Sequence, residues 1–230
     1  MAGVLYGIGV GPGDPELLTL KAVRRMRECD IIVVPGKDYR ESIAYQIAVQ
    51  AVPELEQKEV HAVVMPMIRD EKVRQAHHEK AAGQVMEWLE RGCKVGMLNL
   101  GDVTIFATYT YIMRFVRQAG YETEEINGIP SFCAAAARLH LDLALGEEGL
   151  HIMAASDWLA SGGKHPGTQI IMKIGTQLKQ VKDRIRSLGA AAMMIENATM
   201  TGERVYQSLT EMPDTAGYYS LVIVKGQKCE

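Results

Sequence analysis

Four glycines at alternate positions, Gly7, Gly9, Gly11 and Gly13, interleave with Pro12 and run into Asp14 and Pro15. Glycines let the backbone turn sharply and let a ligand lie against bare amide and carbonyl groups, while Pro12 stiffens the turn between two of them. Two later turns have the same character: 101–106, opened by Gly101 and Asp102, and 127–132, which reads Asn-Gly-Ile-Pro-Ser-Phe. Such turns can hold a small polar or charged ligand by main-chain groups. A plain structural turn is the other reading open to each of them taken alone.

The first turn does not fit dinucleotide chemistry. The third glycine of that fingerprint would fall at Pro12, and the second apolar run, 31–34, ends in Pro35 and Gly36 rather than in an acidic residue; Asp30 precedes it. No GxxxxGK[ST] phosphate loop occurs. Metal chemistry finds no better support. Cys29, Cys93, Cys133 and Cys229 are far apart, with no CxxC and no histidine at ligand spacing, so they read as reduced and mostly buried thiols. His77 and His78 are adjacent on a predicted helix, where successive residues point about 100° apart and do not readily share one ion.

The elements that must position these turns alternate between strand and helix. Strands are predicted after residue 3 and at 31–35, 60–65, 94–100 and 123–126, with helices at 17–28, 42–51, 70–91 and 107–119. The stripe Val73, Ala81, Val85, Trp88, Leu89 marks the longest helix, which Gly92 closes. Thr19 or Asp14 could cap the first helix, and Ser131 the alanine-rich helix that includes Ala134 to Ala137. This βα order predicts a mainly parallel sheet, with ligands gathering at the carboxyl ends of its strands. After residue 128 the pattern changes. Strand-like runs at 151–155, 169–174, 191–196 and 218–225, one helix at 176–188 and turn-rich loops predict a smaller mixed sheet. The fold class is therefore α/β in two domains, 1–128 and 129–230, with a cleft expected between them.

Composition bounds the partners. In 230 residues the net charge is only -3, with lysine and arginine spread throughout, which lacks the footprint of a nucleic-acid binder. No apolar run approaches a membrane span and no leader pattern opens the chain, so a cytoplasmic protein is expected.

Taken together, the motifs resemble the tetrapyrrole (corrin and porphyrin) methylases. The resemblance covers the whole chain: GIGVGPGDPELLTLKA at 7–22, LGDVTIF at 100–106, GIPSFCAAAARL at 128–139, IIMK at 170–173, IENAT at 195–199 and SLVIVKG at 220–226. Within the family, TYTYI at 108–112 and SFCAAAARL at 131–139 look most like the branch that methylates C20 of precorrin-2 or cobalt-factor II in cobalamin biosynthesis. Val103 departs from the proline usual after the Gly-Asp pair, and Pro130 stands where serine or threonine is common.

The resemblance implies S-adenosylmethionine as methyl donor, a tetrapyrrole as substrate, a homodimer, and no metal. Carried over by motif, the donor contacts are Pro12, Gly101, Asp102, Ile105, Ser131, Phe132, Met172 and Ala198. Small residues would expose backbone groups there, and Ile105, Phe132 and Met172 would supply apolar walls; ordinary core is the other reading for those three. Asp102 is the candidate to orient the ring or accept a proton, or else it caps its own turn. Lys173 is the second catalytic candidate, pairing with ring carboxylates, or else a solvated strand-end lysine. Basic groups for the carboxylates would be Lys37, Arg40, Arg138 and Lys164. Tyr109 and Tyr111 would meet the ring, although helical spacing also puts Tyr109 on the buried stripe. Other tetrapyrrole methylases, acting on uroporphyrinogen III or a later corrin, and a non-catalytic S-adenosylmethionine-binding protein stay open as alternatives.

Overall fold

The computed structural model describes residues 3–66 and 70–226, and the chain divides into two compact units, Met1–Pro130 and Ser131–Glu230. Cys229 lies outside the described residues.

The first unit is a five-stranded sheet in the order β3-β2-β4-β1-β5, parallel throughout. Its strands are β1 (Val4–Gly9), β2 (Ile31–Pro35), β3 (Glu59–Val63), β4 (Lys94–Asn99) and β5 (Glu122–Ile126). The period-two alternation of side chains explains the nearly continuous apolar runs of the central strands, because both faces are covered. Leu5, Ile31, Val33, Val95 and Met97 pack on one side with α3 (Glu71–Glu90) and α4 (Tyr109–Gln118). Tyr6, Ile8, Ile32, Val34 and Leu98 pack on the other with α1 (Leu20–Glu28) and α2 (Ile43–Ala51). The neighbours β1 and β4 thus send their connections to opposite faces, the arrangement that opens a crevice at the carboxyl ends of a parallel sheet.

The helix predicted at 17–28 is divided. Asp14 accepts a hydrogen bond from the Glu16 N–H and starts a short turn, Pro15–Leu17; Thr19 then accepts from the Ala22 N–H and starts α1 afresh. Both caps foreseen in the sequence act, one after the other, and the extended Leu18 between them prevents a single helix. Asp70 caps α3 with bonds from the Lys72 and Val73 N–H groups.

The second unit contains α5 (Ser131–Arg138), β6 (Leu150–Ala154), α6 (Ala155–Ala160), β7 (Thr168–Met172), α7 (Leu178–Ser187), β8 (Ala191–Glu196), β9 (Arg204–Tyr206) and β10 (Ser220–Lys225). Its sheet runs β6-β7-β10-β8-β9, with β6 and β7 parallel and the other pairs antiparallel. Trp158, Ile171, Leu178, Val181, Ile185, Met194 and Val222 fill its core. The Trp158 indole N–H donates to Gln169 Oε1 at 2.6 Å, so its polar edge is satisfied. Two elements, α6 and β9, have no counterpart in the sequence reading; six and three residues are too few to show a period.

Candidate functional site

The strand order makes the three glycine-bearing turns neighbours, since they follow β4, β1 and β5 in turn along the sheet. Gly11 and Gly101 exchange backbone hydrogen bonds, at 3.2 Å from the Gly11 N–H and 2.7 Å from the Gly101 N–H. Both have φ +73°, a conformation natural only to glycine. A Cβ built on Gly9 would stand 2.5 Å from the Gly128 nitrogen and 2.7 Å from the Gly101 oxygen. One built on Gly128 would collide with that same oxygen. Gly9, Gly101 and Gly128 therefore touch main chain to main chain, and no side chain fits among them.

Asp102 locks this junction. Its Oδ1 accepts from the Thr104 N–H at 2.8 Å and from the Thr104 hydroxyl, while its Oδ2 accepts from the Asn127 side-chain amide at 3.1 Å and the Gly128 N–H at 2.9 Å. The carboxylate thereby ties the turn after β4 to the turn after β5. Burial pushes its pKa up, but the bonds from Thr104, Asn127 and Gly128 outweigh that and hold it below the usual carboxylate range. Both oxygens are occupied by these bonds. The turn-capping reading describes this geometry.

Two side chains that the sequence did not single out complete the support. Asn99, buried at the end of β4, accepts the Tyr109 N–H at the start of α4 and donates to the Met97 carbonyl. Asn127 bonds Asp102 through its amide and receives the Thr19 hydroxyl on its carbonyl at 3.3 Å. The only signal for either was its place at a strand end before glycine-rich sequence.

Among the described residues, left-handed backbone at residues other than glycine occurs at His140 and at four positions within the stretches singled out from sequence. Phe106 (φ +51°) ends the turn after β4, Lys173 (+53°) follows Met172 at the end of β7, and Asn197 (+51°) and Thr199 (+63°) flank Ala198 after β8. Such conformations persist where the surroundings over-determine them and are concentrated at functional sites.

Residues 4–213 match the family described as Tetrapyrrole (Corrin/Porphyrin) Methylases. The chain belongs to this family. Among the methylases it is 33% identical to the probable cobalt-precorrin-2 C(20)-methyltransferase of Methanocaldococcus jannaschii, over 96% of this chain and 95% of that one. It is 28% identical to the cobalt-precorrin-2 C(20)-methyltransferase of Salmonella typhimurium, over 99% and 98%. The fold matches a solved cobalt precorrin-4 methyltransferase with a TM-score of 0.75 at 18% identity, over 96% of this chain and 94% of that one. It also matches the uroporphyrin-III C-methyl transferase of Thermus thermophilus complexed with S-adenyl homocysteine, with a TM-score of 0.70 at 19% identity and 97% of each chain covered.

Within this methylase the remaining candidates are placed as follows. Pro12 is buried and Ile105 half-buried, in the turns already described. Lys37 and Arg40 are exposed beyond the carboxyl end of β2, with the Arg40 guanidinium over the Tyr39 ring. Tyr111 is exposed on α4, where its ring stacks on His78 at 4.4 Å. Tyr109 is a correction: it is 1% exposed, and its ring fills the space beside Gly7, where an added Cβ would lie 2.5 Å away. It belongs to the buried stripe and has no face to offer a substrate. In the second unit Phe132 and Ala198 are buried, Ser131 and Met172 half-buried, and Lys164 and Lys173 exposed. The Arg138 guanidinium is exposed and forms an ion pair with Glu203 at 2.7 Å. Cys133 is exposed on α5 and Cys93 half-buried, whereas Cys29 is buried and desolvation pushes its thiol up to about 12.

No helix among the described residues is long and apolar enough to cross a membrane.

Proposed function

We propose that this methylase transfers the methyl group of S-adenosylmethionine to C20 of precorrin-2 or of its cobalt-bearing counterpart, a step of cobalamin biosynthesis. The observation that carries the reading is the likeness, over nearly the whole of both chains, to two relatives whose names specify that ring position. The turns of the first unit suit the donor. Gly9 and Gly128 meet Gly101 at a junction no Cβ could enter, which leaves the turn after β4 without bulk at its start, and the half-buried Ile105 of that turn supplies an apolar surface.

When bound, S-adenosylmethionine would supply a methyl on a sulfonium: the ring carbon would take that methyl by in-line attack as the S–CH3 bond breaks and the thioether leaves, and the proton on the ring carbon would then pass to solvent. The protein's task is then chiefly to aim. The Gly9–Gly101–Gly128 junction, fixed by Asp102, holds Pro12 and Ile105 at one sheet edge, and rigid placement of reacting partners lowers the barrier by several kcal/mol. Ser131, Phe132, Met172 and Ala198 are proposed as further donor contacts on the family pattern. A meso carbon conjugated to ring nitrogens needs no strong base before attack, which agrees with an Asp102 whose oxygens are committed to the architecture. Lys37, Arg40, Lys164 and Lys173 are proposed to meet ring carboxylates, with Tyr111 at the ring itself. We further propose a cytoplasmic homodimer; sedimentation showing monomer at working concentration would remove the dimer.

Incubation with methyl-labelled S-adenosylmethionine and precorrin-2, with and without cobalt, tests the reaction. Label at C20 of the product is expected. Label at another ring carbon would assign the chain to a different methylase of the family, and donor binding without turnover on any tetrapyrrole would make it a binding protein.

A further inference from the structure

Arg138 closes α5, the helix that begins with Ser131 and Phe132. Its Nε and Nη2 donate to Glu203 Oε1 at 2.8 and 2.7 Å, and the other oxygen of Glu203 accepts the Thr199 N–H at 2.7 Å. The loop so gripped is tied in other ways too. The Asn197 N–H donates to the Tyr219 carbonyl at 2.8 Å, the Asn197 side-chain amide to the Gly202 carbonyl at 3.2 Å, and the Met200 N–H to the Asn197 carbonyl at 2.8 Å. Ala198 is buried at the centre, between two residues in left-handed conformation.

A pair of this kind adds little to global stability, because the Arg138 side chain is 58% exposed and water screens it. Its effect is local. Without the carboxylate the Thr199 N–H loses this bond, and a backbone conformation that β-branched residues avoid loses one of its restraints.

We propose that Glu203, with Arg138, is a positioning residue for methyl transfer: it holds the 197–199 backbone in its left-handed form and ties that loop to the helix carrying Ser131 and Phe132, so that two donor-contacting stretches keep one register. The proposal rests on the reading that these stretches meet S-adenosylmethionine.

Calorimetric titration with S-adenosylhomocysteine, alongside steady-state kinetics, tests it. Glu203→Ala is expected to weaken binding about tenfold, within the range of coupling measured for residues in one network. KM for the tetrapyrrole is expected to stay within about twofold, since the lost restraint acts on the donor side. Glu203→Gln, which keeps an acceptor for Thr199, should fall between wild type and Glu203→Ala. Arg138→Met should weaken binding in the same direction, and Arg138→Met combined with Glu203→Ala should bind no worse than Glu203→Ala alone. Wild-type affinity in a folded Glu203→Ala protein overturns the brace. So does an Arg138→Met protein with unchanged S-adenosylhomocysteine affinity and a raised KM for the tetrapyrrole, which would return Arg138 to the substrate carboxylates. So too would a loss of affinity no larger than the loss of folded protein. If wild type takes up no S-adenosylhomocysteine, the functional reading falls first and this proposal with it.

Discussion

The carboxyl edge of the first unit and the 197–203 loop of the second place backbone in the same left-handed region by opposite means. At the edge, Gly11 and Gly101 adopt φ +73° because they have no Cβ, and Gly9 and Gly128 close the junction by the same absence. In the loop, Asn197 and Thr199 adopt φ +51° and +63° despite their side chains, held there by Glu203, Gly202 and Tyr219. One region is shaped by exclusion and the other by ties. The first should therefore be sensitive to any added atom, and the second to a removed one.

The sharpest way to break this contrast is Gly128→Ala. The new methyl would meet the Gly101 carbonyl and lie 2.8 Å from the Gly9 carbonyl carbon, and backbone on both sides leaves little room to relax. A loss of about 3 kcal/mol in urea unfolding is expected, with loss of donor binding. A loss below about 1 kcal/mol would mean that the junction yields readily and is not shaped by exclusion.

Next in size is Asp102→Ala, which strips the acceptor from two backbone N–H groups and the Asn127 amide. About 2 kcal/mol is expected, because buried donors are left without partners. Asp102→Asn, which keeps one oxygen, should cost less.

The acid side of the stability profile sharpens the same point. Asp102 and Glu203 are each pushed up by burial but held lower by their hydrogen bonds and, for Glu203, by Arg138, so both end below the ordinary carboxylate range. A depressed folded-state pKa gives stability that is complete above the unfolded value, about 4, and is lost as pH falls through the folded value. Melting temperature should accordingly fall as the solution is acidified below about pH 4, and more gently in Asp102→Asn than in wild type. Equal acid slopes in the two proteins would remove Asp102 from the account.

The smallest effect is expected from Gly120→Ala. Gly120 has φ +86°, but an added Cβ there meets nothing within 4 Å. Only the conformational penalty remains, about 1 kcal/mol. The gap between Gly120→Ala and Gly128→Ala measures how much of the edge is crowding rather than dihedral preference.

Much of this was readable in the residues. The alternation of apolar runs with 3.6-period stripes gave the parallel sheet, and glycines at strand ends gave the turns that meet. What stayed hidden depends on partners distant in the chain. No local pattern reveals that Asp102 accepts from Gly128, 26 residues on, or that Arg138 is taken by Glu203, 65 residues on. Tyr109 was ambiguous because a stripe position is also a helix start, and only its burial beside Gly7 decides between the two. The elements α6 and β9 are too short to carry a period, and the divided first helix needed both caps to be weighed at once.

The most direct test is a crystal structure of the chain with S-adenosylhomocysteine. The account predicts the ligand at the carboxyl edge of the parallel sheet, within hydrogen-bonding reach of main-chain groups in 101–105 and against Pro12. A ligand bound at any other edge or face, with the Gly9–Gly101–Gly128 junction untouched, would contradict it.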